Sequence, residues 1–256
     1  MIRVVAYDLG GPVDVAAAAE VLARLEPSIV CVLELPGRQR LRRLAGRAGL
    51  RIAARSGRGG SGTAVLVNPG VAISSSGLVP LTGDGPSHQA IRVVAGVGGY
   101  RLAVTAARFG PPSDEVGTHP IGMTHFLDSS DAPVVVGCGI AIPAHAAVAE
   151  VLAERLQDAH ALAGTGGGEN APAMHPTSRQ DFLFVDPALD VLGSFVPEEA
   201  PVEVASRHRP VVADLAGRND DATRLPVGER DLDVAPTTPP LTDAPSLGCR
   251  IRRRSA

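Results

Sequence analysis

Apolar residues along this chain fall into short runs separated by polar and glycine-rich breaks, and the spacing inside each run changes with position. IRVVAY at 2–7 is a largely apolar run that reads as a buried strand, and residues 14–26 carry apolar positions at helical spacing after Asp14, a residue type suited to an N-cap. Residues 29–35 are again a strand, and 38–49 a second helix. From 51 to 107 the pattern switches to β-branched stretches broken by Gly, Asn and Pro, namely TAVLVN, GVAISS, AIRVVAG and YRLAVTAA, which predict successive antiparallel strands. A polar, Pro-rich segment with a helix near 113–130 follows, then a strand at 132–137 and a helix at 144–157. The strands FLFVD, LDVLGS and RPVVADL close the ordered region near residue 216. Units of βαβ type mixed with antiparallel runs in this order predict two packed sheets flanked by helices.

Residues 217–256 have no periodicity, contain PTTPPLTDAP and end in RIRRRSA, so the expected organisation is one domain over 1–216 and a disordered, Pro-rich tail with a basic end over 217–256. The length of 256 residues and a hydrophobic content of 45% suit one large domain with a full core. A net charge of −3 gives no reason to expect nucleic acid, and the arginines between Arg38 and Arg47 have the spacing of a solvated helix face. All 24 basic residues are Arg, so Schiff-base, pyridoxal-phosphate and P-loop lysine chemistry are excluded. The glycine runs RGGSG and TGGGEN are therefore read as loops. Without Trp, and with 3% aromatics, base stacking has few candidates. Cys31, Cys138 and Cys249 are far apart and form no CxxC, which predicts neither a disulfide framework nor a zinc site and suits a reducing compartment. No apolar stretch is long enough for a membrane helix, and Met-Ile-Arg runs directly into a strand, so the expectation is a soluble cytoplasmic protein.

Several apolar runs end on a polar residue, where side chains of an open α/β sheet converge. Asp8 follows IRVVAY, Glu34 ends IVCVLE, Arg108 ends LAVTAAR, Cys138 follows VVVG, Asp181 opens DFLFVD, and SRHRPV at 206–211 places His208 ahead of the last strand. Taken together, VLEL at 32–35, RQDFLFVD at 179–186 and SRHRPV resemble the endonuclease/exonuclease/phosphatase superfamily, whose closing motif reads Ser-Asp-His-x-Pro-Val. The resemblance spans roughly residues 2–216 and implies a DNase I-like four-layer α/β sandwich, with two mixed β-sheets flanked by helices. It also implies hydrolysis of phosphoesters with Mg²⁺, a hard cation that takes oxygen ligands.

On that resemblance Glu34 matches the metal-binding Glu, Asp8 stands at an Asn position, and Asp181 orients His208, which stabilises charge on phosphorus. Four positions depart. The family's Gly-Asp-x-Asn falls on Gly137-Cys138-Gly139-Ile140, replacing the water-organising Asp and the phosphate-binding Asn. A family His falls on Arg108, and the closing-motif Asp on Arg207. The formal charge of the set moves from −4 to −1 with His neutral. A guanidinium close by repels a dication and pairs with its carboxylates, so the expectation is that Arg108 or Arg207 stands at the metal position, paired with Asp8 or Glu34. The implied protein is a catalytically impaired pseudoenzyme that binds a phosphate-containing small molecule or a protein partner. The alternative is an active Mg²⁺-dependent phosphodiesterase, phosphatase or nuclease with Asp8 and Glu34 as its metal ligands. A third reading makes Cys138 a nucleophile, which would need a base and a lowered pKa. His119, His125, His145 and His160 form no metal-ligand spacing, and Thr118, His119 and Pro120 lie in a polar segment that would border a pocket.

Overall fold

The computed structural model describes residues 1–56, 62–80, 89–109, 127, 130–140 and 145–218. Most of the RGGSG run, most of the 113–130 helix with Thr118, His119, Pro120 and His125, and the tail beyond Arg218 with Cys249 lie outside the described residues.

Strand β1 (Ile2–Asp8) is followed by α1 (Val15–Leu25), β2 (Ile29–Glu34) and α2 (Arg38–Arg47). The β1 and β2 strands pair in parallel, which requires the crossover that α1 supplies. Asp14 starts α1 by accepting hydrogen bonds from the Ala16 and Ala17 amides at 2.8 and 3.1 Å, and Glu26 ends it in the left-handed region at φ 47°. Then come β3 (Arg51–Arg55), β4 (Ala64–Val67), β5 (Ala72–Pro80), β6 (Gln89–Val97), β7 (Tyr100–Phe109) and β8 (Val134–Ile140). The last third holds α3 (His145–Ala153), β9 (Gln157–Asp158), α4 (Ala159–Ala163), β10 (Gly164–Thr165), β11 (Asp181–Val185), β12 (Leu189–Phe195), α5 (Val202–Ala205) and β13 (Val211–Gly217).

The strands form a seven-stranded sheet in the order β10-β12-β13-β1-β2-β4-β3 and a six-stranded sheet in the order β5-β6-β7-β8-β11-β9. Both are mixed, with β1–β2 and β7–β8 parallel and most other pairs antiparallel. Alternate residues of each sheet meet in one core, with Val4, Ala6, Cys31 and Leu33 from the first sheet against Val104, Ala106, Val135 and Leu183 from the second. The other face of the seven-stranded sheet packs Val5, Tyr7, Val30 and Val32 under Leu22, Leu41 and Leu44 of α1 and α2. The other face of the six-stranded sheet packs Val136, Cys138, Phe182 and Phe184 with Val148 and Leu152 of α3. This is the four-layer sandwich that the order of elements predicts.

Among the described residues, β8 covers Val134–Ile140 where 132–137 is predicted, and the other differences lie around the following helix and in short elements. The predicted 144–157 helix runs His145–Ala153 and closes through turns in which the Glu154 and Leu156 amides still donate to the Glu150 and Leu152 carbonyls, and Gln157 and Asp158 then pair with β11. Asp158 also caps α4 by accepting from His160 and Ala161, and takes a two-bonded ion pair from Arg179 at 2.6 Å. The segments β9, α4, β10 and α5 are too short to show a period.

One glycine sets how closely the sheets approach. A Cβ on Gly137 of β8 would lie 2.5 Å from the Cys31 Cβ of β2, and real Cβ atoms do not come that close. Cys31 is fully buried at this crossing, its thiol pKa pushed up to about 12 by burial. Gly137→Ala should lower the unfolding free energy by about 1–3 kcal/mol through overpacking. Urea denaturation in a double-mutant cycle with Cys31→Gly checks the cause, because the penalty should shrink when Cys31 gives up its side chain.

Candidate active site

One rung from each sheet forms the site. In the seven-stranded sheet the register slips between Tyr7 and Asp8, so that Asp8 stands opposite Glu34 at the ends of β1 and β2. In the six-stranded sheet Arg108, Gly139 and Asp181 occupy adjacent positions of β7, β8 and β11. The segment Ser206–His208, which leads into β13, approaches from the side, and the Ser206 hydroxyl donates to the Asp8 carbonyl at 2.7 Å.

Arg108 reaches across the gap between the sheets. Its Nη1 donates to Glu34 Oε2 and lies 3.7 Å from Asp8 Oδ2. Arg207 approaches the same Glu34 oxygen from the loop, with Nη2 at 3.3 Å. Its side chain passes over Gly11, which has φ +70° and where an added Cβ would lie 3.0 Å from Nε. Both arginines therefore face the cleft.

A second group is built on Asp181, which is fully buried. Its Oδ2 lies 2.8 Å from His208 Nδ1 and accepts from Asn170 Nδ2 at 2.6 Å. Asn170 is itself held, donating to the Arg209 carbonyl at 3.1 Å and accepting from the Gln180 amide at 2.9 Å and the Asp181 amide at 3.3 Å. Asp181 Oδ1 is buried without a hydrogen-bond partner. His208 Nδ1 lies 3.9 Å from Asp8 Oδ2, which links the two groups.

The structure thus brings together Asp8, Glu34, Arg108, Asp181, Arg207 and His208. It does not bring in Cys138 or Ile140. Strand alternation turns both into the outer core with Phe182 and Phe184, while Gly137 and Gly139 face the space between the sheets. A Cβ at Gly139 would lie 3.2 Å from Asp181 Oδ1, so on β8 the position that looks into the site has no side chain. Burial, with the charge of Asp181 adding to it, holds the Cys138 thiol well above its ordinary pKa. A thiol so placed is inert, the reverse of what a nucleophile needs.

Neither a protein-family model nor a curated protein sequence matches the chain. Solved structures do. An endonuclease/exonuclease/phosphatase from Bacteroides vulgatus superposes with a TM-score of 0.70 at 16% identity, over 85% of this chain and 99% of that one. A mannosyl-6-phosphatase from Bacteroides thetaiotaomicron gives 0.68 at 14% identity, over 84% and 100%. TDP2 from Caenorhabditis elegans gives 0.62 at 15% identity, over 83% and 74%. This chain has the endonuclease/exonuclease/phosphatase fold.

Within that fold, the carboxylates expected to hold a cation are Asp8 and Glu34. As they stand they do not suit Mg²⁺, because the Arg108 guanidinium bonds to Glu34 and lies beside Asp8 while Arg207 adds a second positive charge. Asp8, Asp181 and His208 do form an acidic and histidine cluster whose ligand atoms all lie within 4.8 Å of one another. In that cluster one Asp181 oxygen is already bound to His208 and Asn170. No described helix is long and apolar enough to cross a membrane.

Asn170 escaped the sequence reading. It ends the TGGGEN run, and a loop asparagine there carries no signal beyond its polarity. Its role is to position Asp181, and Asn170→Ala should cost about 1–3 kcal/mol by leaving buried polar atoms unpaired, measurable by urea unfolding.

Protonation ties Asp181 to His208. Burial raises the Asp181 pKa, and the hydrogen bond and charge of His208 only partly oppose this. For His208 burial lowers the pKa, but Asp181 and Asp8 outweigh it and the net direction is upward. At these two groups the folded state holds more protons than the unfolded one, so their contribution to stability falls as pH rises. The His208 contribution should be full below the unfolded imidazole value of about 6.5 and vanish as pH passes through the raised folded value. Urea unfolding of wild type and His208→Asn across this window should show the stability gap narrowing with pH, and a constant gap would contradict the assignment.

Proposed function

We propose that this protein is a binding domain built on a phosphoesterase fold, in which the Arg108 guanidinium stands where a divalent cation would be needed and the cleft captures a phosphate-bearing ligand without hydrolysing it. The observation that carries this reading is the placement of Arg108 between Glu34 and Asp8. A guanidinium supplies positive charge and a fork of donors, which suits a phosphate. It supplies no acidic water and cannot release a proton near neutral pH.

Two further features support it. Hydrolysis needs a group that orients the attacking water, and the site-facing position of β8 is Gly139. Activated water, metal and charge stabilisation act as a unit, so losing one component removes most of the rate. A cavity of about 400 Å³ opens beside Arg207 and His208, bordered by Pro172, Met174 and Gln180. Its size suits a small molecule, and a phosphomonoester of the kind implied by the name mannosyl-6-phosphatase would place its anion against Arg207 and His208.

A second reading rests on the unpartnered Oδ1 of Asp181. A buried carboxylate oxygen without a donor is a natural cation ligand, and Asp8 is close by. On this reading the protein is an active metal-dependent phosphoester hydrolase whose ligand set has moved from Glu34 toward Asp181.

Calorimetry with Mg²⁺ and Mn²⁺, with turnover of bis-para-nitrophenyl phosphate on the same samples, separates the two. The binding-domain reading expects no metal binding and no turnover. It also expects inorganic phosphate to bind and to weaken at least about tenfold in Arg207→Ser, the loss of one charge-assisted contact. Metal binding and turnover that both disappear in Asp8→Asn would establish the hydrolase instead.

A further inference from the structure

Helix α2 has a composition that its local structure does not explain. Its sequence, RQRLRRLAGR, contains five arginines and no acidic residue, in a chain whose net charge is −3. All five are exposed, and none bonds to another described residue. Arg38 and Arg42, like Arg43 and Arg47, are four apart, a spacing at which like charges destabilise a helix. Arg38 and Arg40 lie in the first turn, where the helix dipole disfavours cations, and Gly37 offers no side-chain cap. Buried Leu41, Leu44 and Ala45 hold the helix to the sheet, so its outer charge is not needed for packing. Local rules broken without local compensation are expected at functional or strained sites, and nothing in the helix's packing strains it.

The arginines divide into two flanks. At 100° per residue, Arg40, Arg43 and Arg47 share one side of the helix, and Arg38 and Arg42 share the other. The first flank lines a groove of about 680 Å³ whose opposite wall is the Pro12–Ala16 segment at the start of α1. Only one carboxylate, Asp14, lines it, and that one already accepts two amide hydrogen bonds from α1. Arg108, His208 and Asp181 are absent from its lining, so the groove is separate from the cleft.

We infer that this groove is a second anion site, in which Arg40, Arg43 and Arg47 bind a small soluble polyphosphate. Three guanidinium forks within two turns of helix match several phosphate groups joined in a short chain. The size of the groove is that of a small-molecule site. A nucleic acid or a membrane would need basic residues beyond it, whereas Asp14, Glu20 and Glu203 lie on the neighbouring elements. The groove also has no aromatic side chain on which a base could stack. An anion there relieves the mutual repulsion of the arginines, so binding and helix stability are coupled.

Inorganic tripolyphosphate is the probe, titrated by calorimetry at low salt into three proteins. In the combined variant Arg40→Gln, Arg43→Gln, Arg47→Gln, affinity should fall at least about tenfold. It should persist in Arg38→Gln, Arg42→Gln, which alters the other flank. The third protein, Arg108→Ser, Arg207→Ser, removes the cleft's arginines and should keep this site, so the inference stands or falls apart from the function proposed above. No binding to the wild type, or binding lost only in the third protein, overturns it. Tighter binding of a DNA duplex or of anionic phosphatidylserine vesicles through the same arginines overturns the polyphosphate assignment. Phenylglyoxal modification mapped by mass spectrometry needs no variant, and tripolyphosphate should protect Arg40, Arg43 and Arg47 while leaving Arg38 and Arg42 reactive.

Discussion

An ion pair that crosses from one sheet to the other organises the end of this sandwich. Asp8 is buried at the end of β1, and Glu34 is largely covered at the end of β2. Two carboxylates so close, in a place water reaches poorly, repel each other and lose hydration. Arg108, arriving from the opposite sheet, supplies the counter-charge, and Arg207 supplies more from the loop before β13. The arrangement works only because the inward-facing positions of both sheets end on the same rung, and that depends on the close approach of β8 to β2 at Gly137. The charge pattern at the strand ends thus rests on the packing of the apolar core behind it.

Behind the arginines stands a chain of neutral and charged groups that fixes the loop to the sheet. Asn170 uses both ends of its amide to hold Asp181 and the two backbone segments beside it. Asp181 in turn fixes His208, and Ser206 ties the same loop to the backbone of β1. A buried network satisfied this fully is rigid, so the single unpaired oxygen on Asp181 stands out against it. That oxygen points at the space where Gly139 has no side chain.

Much of this was legible in the sequence because the residues concerned end apolar runs. Asp8, Glu34, Arg108 and Asp181 lie at strand ends and His208 shortly before a strand, and their order along the chain is enough to suggest both the sandwich and a cleft with added arginines. Strand β8 was not legible in the same way. VVVGCGI is apolar on both faces, so nothing in the sequence distinguishes inward from outward positions, and a shift of one residue exchanges them all. Aligning the motif puts Cys138 and Ile140 at the site, whereas in the structure the glycines on either side of Cys138 face the space between the sheets. Asn170 was hidden for a different reason, since a loop residue gets its role from distant partners. The elements around Asp158 were missed because two-residue strands and a one-turn helix have no period to detect.

The convergence of two guanidiniums on one carboxylate has a consequence at longer range. A cluster of bare carboxylates would project a strong negative potential through the mouth of the cleft and draw cations from beyond the first layer of water. Among the described residues of this cleft, Asp8 and Glu34 stand against Arg108 and Arg207, so this group of side chains by itself projects little net field. For a ligand of the kind proposed, shape and hydrogen-bond geometry on contact would then count for more at these side chains than attraction from a distance.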